Sequence, residues 1–428
     1  MSMLKKGFLI GASTSAHQVE GNNIHSDYWT MEHMKSTSFL EPSLDAVDHY
    51  NRYEEDITLL AHAGLNAYRF SIEWARIEPR EGEFDDKEIA HYERMIDFCH
   101  SKGVEPIVTL HHFTSPKWLI EKGGWECEDT VSYFARYCGY VAQKLGEKLR
   151  YICTINEANM GLQLSLIAKR YMRQLIFGKK KQTDGKAQVG INLQHMIENM
   201  KLAKVENVEV FGREKLHTFV SSRTEDGDLL IARAHVAARD AIKKAAPRVK
   251  VGLTLSLHDM QYTRLGKPHA MKEWYREFGH YLPYIKDDDF LGVQNYTRYE
   301  FGLLGQKEPP KDAEMTQMNY EFYPEAIGNV VHTVSKDFKG EILITENGIA
   351  TADDNRRCEF IRRALLGVKK CIDDGINVTG YCHWSLLDNF EWQKGYSMTF
   401  GLIAVDRKTQ TRHPKKSLYL LGEYANKN

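Results

Sequence analysis

Short runs of apolar and β-branched residues recur along the chain. Each is followed by a longer stretch whose apolar positions fall at helical spacing. The runs are "GFLIGAS" (7–13), "AYRFSIEW" (67–74), "EPIVTLHH" (105–112), "YICTINE" (151–157), "KVGLTLSL" (250–257), "DFLGVQNY" (289–296), "EILITENG" (341–348) and "NVTGYCHWSLL" (377–387). They are continuously apolar rather than alternating, which marks strands covered on both faces, as in parallel sheets. Between them, "HYNRYEEDITLLAHAGL" and "HYERMIDFCHSKGV" read as amphipathic helices, and Gly64, Gly103 and Gly375 stand where such helices should stop.

Strand–helix alternation repeated eight times predicts an α/β fold closed into a (β/α)8 TIM barrel. Such barrels take about 250 residues and exceed about 400 with insertions. The 428 residues therefore read as a single domain, 1–428, with loop insertions at the C-terminal face. Region 165–225 shows no clear strand and reads as the main insertion, with some helix; its basic run "KKK" (179–181) reads as solvated.

Composition narrows the partners. The chain is 42% hydrophobic and 27% charged with a formal net charge of −1, ordinary for a soluble globular protein. Near-neutral charge gives no electrostatic reason to expect nucleic acid or an anionic membrane as partner. No stretch approaches the roughly 18 apolar residues of a membrane span. The seven cysteines are scattered, odd in number and without a CxxC pair, as expected of reduced thiols. The N-terminal "MSMLKKGFLIGAS" imitates a signal peptide, but its apolar run ends at Ala12 and reads as a first strand. A cytoplasmic location is the expectation. Oligomeric state is not readable from these features.

In a barrel of this kind the active site lies at the C-terminal strand ends. Here those ends carry Asn156-Glu157, Glu346-Asn347 and His111-His112; the first strand leads into "TSAHQVEGNN" and the last into "WSLLDNFEW". Two glutamates converging on one rim are the minimum for glycoside hydrolysis, in which one carboxyl is protonated and the other ionised. Taken singly, each residue has a plainer reading. A strand-end glutamate is commonly a salt-bridge partner or cap, Trp384 and Trp392 pack, and His112 is a hydrogen-bonded structural histidine. Adjacent His111 and His112 point to opposite faces of a strand, and HxxH spacing is absent, so neither a metal nor another cofactor is expected.

Five segments in order resemble glycoside hydrolase family 1, the β-glucosidase-like retaining enzymes: "FLIGASTSAHQVEG", "RFSIEWARIEP", "TINEAN", "ITENG" and "WSLLDNFEWQKGYSMTFGLIAVD". The similarity covers nearly the whole chain. It implies Glu157 as general acid/base and Glu346 as nucleophile, supported by Arg69 and Tyr296. It also implies sugar contacts from Gln18, His112, Asn156, Glu391 and Trp392, with Trp384 as platform and Gln294 and Tyr320 at neighbouring positions. The implied substrate is a small β-glycoside or short oligosaccharide, cleaved by double displacement between carboxyls about 5–5.5 Å apart. Three positions depart from the family: Ala158 replaces a usual proline, Gln294 a usual asparagine, and Tyr320 a frequent tryptophan. Alternatives are a 6-phospho-β-glycosidase, disfavoured by Glu391 at the 6-hydroxyl position and the lack of a lysine and tyrosine in Ser397–Phe400, a transglycosylase, and an inactive sugar-binding homologue.

Overall fold

Side chains leave the eight strands in two directions, and that division builds the barrel. The structure is a computed structural model describing residues 4–176 and 190–426; the basic run 179–181 lies outside the described residues. The strands are β1 (Leu9–Ser13), β2 (Ala67–Ser71), β3 (Glu105–His111), β4 (Tyr151–Ile155), β5 (Lys250–Ser256), β6 (Phe290–Gln294), β7 (Glu341–Asn347) and β8 (Val378–Trp384). They close in the order β1-β8-β7-β6-β5-β4-β3-β2, each parallel to its neighbours. All eight expected strands are present, their ends trimmed by one to three residues.

One set of side chains fills the barrel: Leu9, Ala67, Ile107, Tyr151, Cys153, Phe290, Leu343 and Cys382 form a small buried cluster of their own. The other set, including Ile10, Tyr68, Phe70, Val108, Ile152, Leu253, Val293 and Ile344, belongs to the large core under the helices. Both faces are dry, which is why the strands read as unbroken apolar runs.

The helices alternating with the strands are α1 (His49–His62), α2 (Asp86–Ser101), α3 (Thr130–Leu145), α4 (Glu225–Ala245), α5 (Lys267–Glu277), α6 (Ala326–Val334), α7 (Asp354–Asp373) and α8 (Lys416–Asn426). Their ends follow local chemistry. The Asp85 side chain accepts from Lys87 N at the start of α2, and Thr224 does the same for Gly227 N at the start of α4. Gly64, Gly103 and Gly375 take φ of 95°, 69° and 83° just past α1, α2 and α7, as a helix stop requires.

Within region 165–225 the structure shows helix at Met160–Ile176, Leu193–Glu198 and Met200–Phe211. Two small sheets were not foreseen: Asp259–Tyr262 with Arg298–Gly302 and Gly305–Gln306, and Ile403–Val405 with Arg412–Pro414. Their strands are two to five residues long and mostly part-exposed, too short for an apolar run to announce them. All seven cysteines are unpaired, and among the described residues no helix is long and apolar enough to cross a membrane.

Candidate active site

Above the apolar plug the barrel interior turns polar. Arg69 on β2 is fully buried and points up the barrel, where its guanidinium reaches two groups at once. Nη1 donates to Glu346 Oε1 at 2.6 Å, and Nη2 donates to Asn156 Oδ1 at 2.6 Å. One cation thus ties the end of β7 to the residue after β4, strands that stand three apart in the barrel.

Glu346 receives a second hydrogen bond from the Tyr296 hydroxyl, at 2.6 Å to Oε2. Both of its oxygens are therefore held by donors that favour the ionised form. Burial pushes the Glu346 carboxyl up, and Arg69 and Tyr296 offset part of that rise. Among the described residues Glu157 has no such cation in hydrogen-bond contact. It is buried, its Oε1 has no protein hydrogen-bond partner among the described residues, and burial followed by the charge of Glu346 pushes it well above the usual carboxylate range.

The chain bends sharply to present Glu157, whose φ of 45° lies in the left-handed region. Thr254 on β5 holds that bend. Its Oγ1 accepts from Glu157 N at 3.0 Å, and its carbonyl accepts from Ala158 N at 3.1 Å. The replacement of proline by Ala158 thus has a structural consequence: alanine keeps an N–H, and that N–H is used.

Asn156 Oδ1 also accepts from Gln294 Nε2 at 2.7 Å, so the longer glutamine side chain spans from β6 to the amide. With Oδ1 occupied by donors, Asn156 Nδ2 is left to donate to His112 Nε2 at 3.1 Å. Burial, with Arg69 and His111 adding, pushes His112 well below the usual imidazole range, so this ring is neutral and can accept. It lies 5.6 Å from the Trp384 ring and 6.0 Å from that of Trp392, near-parallel to both. His111 faces away, bonded to Ser115 Oγ and packed on Trp125 and Phe219.

Gln18, in the turn of helix after β1, sends Nε2 to the Phe390 carbonyl at 2.8 Å and to Glu391 Oε2 at 3.3 Å. Glu391 is buried, and burial, aided by the charge of Glu346, lifts its carboxyl to about 8. Tyr320 packs 6.2 Å from Tyr296, buried, with a hydroxyl that has no protein partner among the described residues. Burial raises it well above the ordinary tyrosine range, with Glu391 and Glu157 adding to the shift.

The catalytic and sugar-contact candidates from the sequence therefore gather at the C-terminal ends of the strands, while His111 turns away from them. What sequence reading missed is the support around them: Thr254, and the backbone at Gly190, whose N–H donates to Glu391 Oε1 at 3.2 Å. Thr254 does leave a trace, as one of two polar residues, with Ser256, in the otherwise apolar "VGLTLSL". Among the described residues no group of three His, Cys, Asp or Glu side chains is placed to hold a metal ion.

The sequence profile described as "Glycosyl hydrolase family 1" matches residues 1–299 and 241–428. A 1,4-beta-D-glucan glucohydrolase of Thermotoga neapolitana is 30% identical, the alignment covering 98% of this chain and 97% of that protein. A 6-phospho-beta-galactosidase of Staphylococcus aureus is 29% identical over 99% of this chain and 98% of its own. The solved structure of the beta-glycosidase BGL167 superimposes with a TM-score of 0.85 at 40% identity, covering 99% of this chain and 97% of that one.

Proposed function

Because the chain belongs to glycosyl hydrolase family 1 and is a β-glycosidase, we propose that it releases an unphosphorylated terminal sugar, β-glucose foremost, with retained configuration. Glu346 acts as nucleophile and Glu157 as acid/base. The observation that carries this reading is the asymmetry of the two buried carboxyls. Glu346 is gripped at both oxygens by Arg69 and Tyr296, while Glu157 has burial and a neighbouring negative charge to keep its proton.

In the first step a Glu346 oxygen forms a bond to the anomeric carbon as the glycosidic C–O bond breaks. The Glu157 proton passes to the departing oxygen. In the second step the Glu157 carboxylate takes a proton from water, the water oxygen bonds to the anomeric carbon, and Glu346 leaves as a carboxylate. Asn156 Nδ2, oriented by Arg69 and Gln294, serves as donor to the sugar's 2-hydroxyl. His112, Gln18, Glu391 and Trp392 take other hydroxyls, Trp384 supplies an apolar platform, and Tyr320 borders the leaving-group side.

The nature of Glu391 supports the preference for an unphosphorylated sugar. A phosphate beside it would meet a buried carboxyl, acid or anion, where it needs a cation. The relative named as a 6-phospho-beta-galactosidase makes the contrast worth testing.

The test is covalent trapping. A 2-deoxy-2-fluoro β-glucoside with a good leaving group should inactivate the enzyme and add one glycosyl mass to the peptide containing Glu346. A label elsewhere, or turnover without trapping, overturns the assignment. Aryl β-glucosides with and without a 6-phosphate, run in parallel, should be cleaved only in the unphosphorylated form.

A further inference from the structure

The chain following β4 returns to the rim at Gly190. Besides its N–H bond to Glu391 Oε1, the Gly190 carbonyl accepts from Gln393 N at 3.0 Å. Two residues on, Asn192 N donates to the Gln393 side-chain oxygen at 2.6 Å. The turn bearing Glu391, Trp392 and Gln393 is therefore docked along a strip of backbone more than a hundred residues away in sequence. From the other side Gln18 Nε2 reaches Glu391 Oε2 at 3.3 Å, so each carboxyl oxygen has one protein donor.

This docking needs a residue without a side chain. A Cβ on Gly190 would lie 2.4 Å from the Glu391 carbonyl oxygen and 3.0 Å from its Cγ. Backbone oxygen cannot swing aside as the tip of a flexible chain would, so any larger residue must part the two segments. The cost of substitution falls on the contact with Glu391.

We propose that Gly190 is a specificity-determining positioning residue, whose bare backbone fixes the direction in which Glu391 presents its carboxyl to the hydroxyl on the sugar's sixth carbon. A carboxyl held at both oxygens keeps its remaining lone pairs aimed one way, and a hydroxyl arriving there finds an acceptor already oriented. The proposal rests on the reading of Glu391 as a contact for that hydroxyl.

The experiment compares para-nitrophenyl β-glucoside with its 6-deoxy analogue across Gly190→Ala, Gln393→Ala and Glu391→Gln. Gly190→Ala should raise KM for the glucoside about tenfold with kcat within about threefold, and should move KM for the 6-deoxy analogue by less than about twofold. Gln393→Ala, which loosens the docking without adding bulk, should shift the same ratio in the same direction by a smaller factor. If Gly190→Ala lowers the unfolding temperature, Gln393→Ala carries the comparison. An equal KM change on both substrates, or no change in either variant, overturns the role given to Gly190. If Glu391→Gln itself fails to distinguish the two substrates, the reading of Glu391 falls instead.

Discussion

The backbone N–H of Ala158 donates to the carbonyl of Thr254 at 3.1 Å, immediately after a residue held at φ 45°. Ala158→Pro removes that donor and leaves a buried carbonyl without its partner, at a cost of about 1–3 kcal/mol. Thr254→Val removes the Oγ1 acceptor of Glu157 N instead. Both variants should lose more rate on substrates with poor leaving groups than on activated aryl glycosides, because both let the carboxyl of Glu157 drift. A plot of kcat/KM against leaving-group pKa for each variant checks this; parallel lines would count against it.

Glu157→Ala should lower kcat/KM for an alkyl or disaccharide substrate by about 10²–10⁴-fold. The loss should be far smaller for a dinitrophenyl glycoside, whose leaving group needs no proton. Steady-state kinetics on the two substrates give the answer directly, and equal losses would remove Glu157 from the acid role.

Tyr296→Phe takes away one donor to Glu346, a bond of the charged type worth about 1.5–3 kcal/mol. That donor holds the Glu346 carboxyl down, so its loss lets the carboxyl rise, and the nucleophile is ionised only above a higher pH. The acidic limb of the kcat/KM profile should therefore move upward by about 1 pH unit. Activity near pH 5 should fall more than activity near pH 7. A pH–rate profile of the free enzyme reads this shift.

A fourth expectation concerns stability. Asp56 on α1 accepts from Arg412 Nε at 2.7 Å and from His49 Nδ1 at 2.7 Å, all three buried. Burial pushes the Asp56 carboxyl up, but these hydrogen bonds outweigh it and hold the group below its ordinary value. A depressed carboxyl contributes stability above its unfolded pKa, roughly 3.9, and loses that contribution as pH falls toward the folded value. Asp56→Ala, which leaves Arg412 without its buried partner, should cost about 3–5 kcal/mol at pH 7. The gap in unfolding temperature between wild type and variant should narrow below about pH 4, as thermal melts at both pH values will show.

The barrel was legible because its strands pack apolar side chains outward against helices, so Ile10, Val108, Ile152 and Val293 sit in unbroken runs. Glu157 and Glu346 were legible because polar residues at the ends of such runs are rare enough to stand out. Thr254, Gln393 and Gly190 were not. Their contacts join segments separated by about a hundred residues or more, as between Thr254 and Glu157, and no local periodicity records which strand end faces which loop. Ala158 shows the limit most plainly. The missing proline could be read from the sequence, but the carbonyl that takes up the freed N–H comes from another strand.

The interior plug of Leu9, Ile107, Tyr151, Phe290 and Leu343 carries a kinetic meaning. It fills the barrel beneath Glu157 and Glu346, so a substrate reaches them from the C-terminal side of the strands. Under the proposed double displacement, Glu346 covers one face of the anomeric carbon, so the attacking water uses the side that the leaving group has vacated. In that scheme release of the aglycone precedes hydrolysis of the ester. In the same scheme a second sugar at the mouth competes with water for that place, so occupancy of the mouth bears on the ratio of hydrolysis to glycosyl transfer.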